Sequence, residues 1–92
     1  CDNTEPAGGA VADVQRTELL RGFIAGMHAA IADGAADVRA YYVWSLLDNF
    51  EWAFGYSKRF GIVYTDFATQ ARIPKQSAAF FAELIRKNGL EA

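Results

Sequence analysis

Ala40-Tyr41-Tyr42-Val43-Trp44 is an unbroken apolar run. A strand with one wet face alternates apolar and polar side chains, because successive side chains point to opposite sides. A run without alternation fits a strand covered on both faces, as in a parallel sheet sandwiched by helices. Residues 38–46 are therefore predicted to be such a strand. It needs strand neighbours on both sides, and parallel neighbours arrive only through long crossover connections. The flanking sequence offers helices instead. After Asp13, which is placed to cap a helix, Leu20, Phe23, Ile24, Met27 and Ile31 recur at helical spacing and Gly34 supplies a stop. That predicts a helix over 14–33 with one buried stripe. Downstream, Pro74, Lys75 and Ser77 read as a helix start. Phe80, Phe81, Leu84 and Ile85 give this helix an apolar face, and Asn88-Gly89 end it, so it spans 74–88.

The remaining segments read as connections. Residues 1–12 are polar, then rich in glycine and small residues, and form a loop. Residues 47–73 carry turn residues at Asp48-Asn49, Gly55 and Gly61, with room for a short strand between Phe60 and Phe67. The order is helix, buried strand, long loop, helix. It reads as the last helix–strand–helix of a (β/α)₈ TIM barrel, an α/β piece rather than an autonomous domain. The alternative is a small stand-alone fold with an aromatic core. In barrels of that kind the chemistry sits in loops at the C-terminal ends of the strands.

Just there lies the densest chemistry of the chain. Residues 44–61 hold two indoles, three phenyl rings, a phenol and the carboxylates of Asp48 and Glu51. Ten of the 13 aromatic residues fall between Tyr41 and Phe67, so the aromatic content is concentrated rather than spread. A sugar ring stacks its C–H faces on aromatic side chains, and its hydroxyls donate to carboxylates. Ordinary core packing beside a solvated charge pair explains the same residues without any ligand. In that plainer reading Glu51 pairs with Lys58 or Arg59. Tyr41, Tyr42 and Tyr56 read as packing residues.

Other classes lose support on composition. A net charge of −2 gives no basic footprint for nucleic acid. No apolar run approaches the ~20 residues of a membrane span, and no signal-peptide pattern is visible. Cys1, the single cysteine, can form no internal disulfide, and His28 has no companions that would make a metal site. No metal and no cofactor is expected, and a cytoplasmic setting is compatible with this cysteine usage. The chain has no initiator Met at its first position, which agrees with a piece of a longer polypeptide.

The run Trp44-Ser45-Leu46-Leu47-Asp48-Asn49-Phe50-Glu51-Trp52, then Gly55-Tyr56 and Lys58-Arg59-Phe60-Gly61-Ile62-Val63-Tyr64, resembles the C-terminal signature of the family 1 glycoside hydrolases, the β-glucosidases and their relatives. The resemblance continues through Thr69-Gln70, Arg72, Pro74-Lys75 and Ser77-Ala78 and covers roughly residues 13–90. It implies a retaining enzyme with two catalytic glutamates, carried in a Thr-x-Asn-Glu-Pro motif and a Thr-Glu-Asn-Gly motif. Neither motif is in this sequence, so no catalytic residue is expected here. Thr4-Glu5-Pro6 is a decoy in a polar loop.

By the same resemblance Glu51 holds the sugar hydroxyls at C4 and C6, Trp44 is the platform under the ring, Trp52 donates to the C3 hydroxyl, and Phe60 is a wall of the pocket. Asp48 and Asn49 read as turn formers that staple the loop. The implied partners are the N-terminal part of the same barrel and a β-glucoside substrate, with fucosides and galactosides as further candidates. A carboxylate at position 51 would repel a 6-phosphate, which argues for non-phosphorylated sugars. The alternatives are a 6-phospho-β-glycosidase and a carbohydrate-binding barrel of the same family without catalysis.

Overall fold

The computed structural model describes residues 2–90. Helix α1 spans Val14–Ala32, strand β1 Val63–Thr65, strand β2 Arg72–Pro74 and helix α2 Gln76–Lys87, with a 3₁₀ turn at Trp52–Phe54. The strands form an antiparallel pair in the register Val63–Pro74, Tyr64–Ile73 and Thr65–Arg72. The helices pack on one another, and α2 also touches β2.

Both helices lie close to their expected spans, but their ends work differently. Asp13 occupies the N-cap of α1 without a side-chain cap bond. Its carboxylate instead accepts from the Ser77 backbone N–H at 2.8 Å and hydroxyl at 2.5 Å, and from Arg16 at 2.8 Å. It therefore ties the start of α1 to the start of α2. The α1 chain stops where expected, with Gly34 at φ +78. In α2 the left-handed residue is Asn88, at φ +53. Pro74 is not the first helical residue: it ends β2, and Lys75 occupies the N-cap of α2.

The expected stripe of α1 is only partly covered. Leu20 and Ile24 are buried, Met27 is half-buried, and Phe23 and Ile31 stay exposed. Residues 38–46 join no ladder among the described residues. The strand expected over 38–46 is therefore not formed in this structure, because a strand exists only through pairing with a neighbour and this segment has none among the described residues. Its end is held by the loop that follows. Ser45 N–H donates to Phe60 O at 3.0 Å, Ile62 N–H to Ser45 O at 2.9 Å, Val63 N–H to Leu46 O at 2.8 Å and Asp48 N–H to Val63 O at 3.1 Å.

The interior of this piece is mostly polar. Val11, Leu20, Ile24, Ile62 and Tyr64 are its buried apolar residues. Beside them are buried Asp2, Asp13, Arg16, Asp48, Glu51, Lys75 and Ser77. Large apolar side chains on α1 and the aromatic loop remain in solvent, Tyr42 among them, so the expectation that Tyr42 packs does not hold in this structure. Tyr41 does pack, against Phe81, at 6.5 Å between ring centres.

Candidate carbohydrate-binding site

Four side chains are expected to contact sugar; the structure pairs Trp44 with Glu51 and sets Trp44 in one cleft with Phe60, which Glu51 does not line. Trp44 lies at the end of the 38–46 segment with 70 % of its surface exposed. Its indole Nε1–H donates to Glu51 Oε2 at 3.3 Å. Glu51 is buried. Its backbone is fixed by a tight turn, in which Glu51 N–H donates to Gly55 O at 2.7 Å and Phe54 N–H to Glu51 O at 2.9 Å. Phe60 is half-buried and shares with Trp44 a cleft of about 430 Å³ that also exposes Tyr42 and Phe23. Trp52 follows Glu51 on the 3₁₀ turn and is 82 % exposed.

Trp52 also has φ +48, a left-handed conformation that costs a bulky residue of order 1–3 kcal/mol. Hydrogen bonds hold the turn around it: Gly55 N–H donates to Trp52 O at 3.0 Å, and Ser57 closes on Phe54 O through both N–H and hydroxyl. The strained backbone presents an exposed indole on the residue that follows the buried Glu51. An indole ring with an adjacent carboxylate can stack on a sugar face and accept from its hydroxyls.

The loop is anchored from beneath. Asp48, whose side chain is fully buried, accepts from Arg59 Nη1 at 2.9 Å, Gly61 N–H at 3.0 Å, Thr65 N–H at 3.3 Å and Lys75 Nζ at 3.0 Å. It is more than a turn former. Asn49 does staple the loop, donating to Ser45 Oγ at 3.1 Å and Leu47 O at 2.8 Å. Besides Asp48, Arg59 donates to Thr65 O at 2.7 Å, and its guanidinium lies over Tyr64 at 4.2 Å and Phe67 at 4.4 Å. Glu51 forms no ion pair with Lys58 or Arg59, against the plainer reading of that residue.

Lys75 is 2 % exposed. Burial pushes its ammonium below the usual lysine range, and the hydrogen bond to Asp48 pulls part of the way back. Burial likewise raises the Tyr64 phenol, which donates to Glu5 Oε2 at 3.3 Å. Arg16 completes the polar interior by donating to Asp13, to Asp2 O and to Arg59 O. Nothing in sequence marks Lys75 as buried, since it follows a proline where a helix start is expected to be wet. Asp48 had a partial signal: it directly follows the apolar pair Leu46-Leu47, and Arg59, one of its partners, lies 11 residues downstream.

Among the described residues no group of His, Cys, Asp and Glu is arranged to hold a metal ion, and no helix is long and apolar enough to cross a membrane.

The model of glycosyl hydrolase family 1 matches residues 1–90. The chain belongs to that family. Among curated family 1 relatives, a 1,4-beta-D-glucan glucohydrolase of Thermotoga neapolitana is 52 % identical over 89 residues, covering 97 % of this chain and 20 % of the relative. Thermostable beta-glucosidase B of Thermobispora bispora is 51 % identical over 83 residues, covering 90 % of this chain and 17 % of the relative. The family 1 fold is matched as well. The β-glucosidase of Thermotoga maritima in complex with noeuromycin superposes with a TM-score of 0.90 at 49 % identity, over 94 % of this chain and 19 % of that one. The chain thus spans about a fifth of the length of these TIM-barrel enzymes.

Proposed function

We propose that this chain is the sugar-binding C-terminal part of a retaining β-glucosidase that hydrolyses terminal, non-phosphorylated β-D-glucosides. In this reading residues 38–46 are the last barrel strand, residues 47–73 the active-site loop and α2 the closing helix. The rest of the barrel supplies both catalytic glutamates and the missing strand neighbours.

The observation that carries the reading is the pairing of Trp44 with Glu51. An exposed indole bonds a buried carboxylate directly beyond the residue 38–46 segment, where a barrel presents its chemistry. Trp44 offers a face to the sugar ring, and Glu51 can accept from two neighbouring hydroxyls at once. Phe60 shares a cleft with Trp44, and Trp52 has an exposed indole for a further hydroxyl. Relatives named β-glucosidases, among them the Thermotoga maritima enzyme studied in complex with noeuromycin and with isofagomine lactam, support the substrate class.

Glu51 also decides between neutral and phosphorylated sugars. Two like charges at about 4 Å repel by roughly 4 kcal/mol at an effective dielectric near 20. That corresponds to about a thousandfold in rate. Arg59 is engaged with Asp48 and stacked between two rings, so it does not offset the repulsion. A full-length family 1 enzyme carrying residues 1–92 should turn over an aryl β-glucoside with kcat/KM far above that for its 6-phosphate. Equal or better turnover of the phosphorylated substrate refutes the reading.

A further inference from the structure

We infer that Asp48 is a positioning residue for sugar recognition: its buried network with Lys75, Arg59 and Gly61 sets the geometry of the Trp44–Glu51 pair. The inference rests on the sugar-binding reading of Glu51 and adds a residue that touches no sugar.

Asp48 lies between the two proposed sugar contacts in sequence, and its side chain is fully buried. Its carboxylate gathers four donors from three places: Arg59 and Gly61 in the returning loop, Thr65 in β1, and Lys75 at the head of α2. Its own N–H is spent on Val63 O at 3.1 Å. Residue 48 therefore has neither backbone nor side-chain freedom. On one side Asn49 reaches back to Ser45 Oγ and Leu47 O and fixes the residue next to Trp44. On the other side a chain of rings runs from Arg59 through Phe67 and Tyr56 to Phe50, the neighbour of Glu51. The successive distances are 4.4 Å, 4.6 Å and 5.4 Å.

Gly61 shows how tightly the segment is seated. A Cβ added there would run into the Asp48 nitrogen and the Leu47 carbonyl carbon. The two backbones touch because one of them has no side chain. A carboxylate held by four donors in a dry interior is a stiff joint, since each charge-assisted bond is directional and strengthened by the low dielectric. Binding geometry tolerates errors of only about 0.5 Å, and a misplacement of about 1 Å costs on the order of 100-fold. Loosening Asp48 should thus weaken recognition of the hydroxyls that Glu51 holds more than it weakens the chemistry.

The test compares an aryl β-glucoside with the matching 6-deoxy-β-glucoside, which lacks one hydroxyl in reach of Glu51. The protein is a full-length family 1 enzyme carrying residues 1–92, with Glu51→Gln as the reference. Asp48→Asn should lower kcat/KM for the glucoside at least tenfold and for the 6-deoxyglucoside less than threefold. The ratio between substrates should fall toward that of Glu51→Gln, and the double variant should lose no further discrimination. Lys75→Met removes a single donor and gives a smaller shift of the same kind, readable where Asp48→Asn does not fold. Equal losses on both substrates, with Glu51→Gln still collapsing the ratio, reduce Asp48 to a structural residue and overturn the inference alone. Failure of both variants to fold overturns it in the same way. An unchanged ratio in Glu51→Gln overturns the sugar-binding reading itself, and this inference with it.

Discussion

The polar interior and the aromatic loop divide the labour of this chain. Asp13, Asp48, Arg16, Arg59 and Lys75 sit in or near the centre, each with several partners and little exposure. Trp44 at the end of the 38–46 segment and Phe50, Trp52, Phe54 and Tyr56 in the loop have more than half of their surface exposed. Ordinary domains do the reverse, with rings inside and charges outside. The inversion teaches what each region is for. The charges pin the connections between α1, the loop and α2. The rings are left at the surface, and in the proposed reading they meet sugar and the rest of the barrel.

The largest expected effect lies in the polar interior. Asp48→Leu leaves Lys75 and Arg59 buried without their carboxylate, and breaking one side of a buried pair costs about 3–5 kcal/mol. Chemical denaturation of the full-length enzyme should register that loss, and a change under 1 kcal/mol would show that water or another group takes over the role of Asp48. Gly61→Ala comes next. The added methyl must push the Leu47–Asp48 backbone aside, for about 1–3 kcal/mol. A neutral Gly61→Ala would mean that the two backbones have room to part.

A smaller effect depends on pH. Asp2 is buried, and burial alone would raise its carboxyl. The hydrogen bonds from Thr4 and from the Arg16 backbone, with the Arg16 charge, outweigh this and hold it below the usual value of 3.8. A carboxylate lowered in the folded state contributes stability that is complete above its unfolded pKa. That stability is lost as pH falls through the lower folded value. Asp2→Asn should therefore lower Tm near neutral pH, and the gap to the unaltered enzyme should close as pH drops below about 3.8. A gap that widens in acid would reverse the assignment. The smallest effect on stability belongs to the aromatic loop: Trp52→Ala should leave stability within about 0.5 kcal/mol while lowering glucoside turnover. If Tm collapsed instead, the indole would be a packing residue after all.

How much of this was written in the sequence follows the same division. The helices were legible because their apolar residues repeat at helical spacing and end at Gly34 and at Asn88-Gly89. The neighbourhood of Trp44, Glu51 and Phe60 was legible because a dense motif carries it. The pairing of β1 with β2 was not, since three-residue strands leave no periodicity to read. The roles of Asp13 and Lys75 were hidden for another reason. An acid before a helix and a lysine after a proline both look like solvated ends. Only the meeting of residues 27 positions apart, as Lys75 and Asp48 are, or 64 apart, as Ser77 and Asp13 are, turns them into an interior. Such long-range partners leave no local trace.

The central claim is that Trp44 and Glu51 receive the sugar while the network around Asp48 only holds them in place. A crystal structure of the full-length enzyme with a neutral glucose-like inhibitor tests this directly. The account predicts Glu51 oxygens within hydrogen-bond reach, about 2.5–3.0 Å, of two ring hydroxyls and the Trp44 indole against the sugar face. An inhibitor bound with Glu51 still facing Trp44 alone, and no sugar atom against either residue, would contradict it.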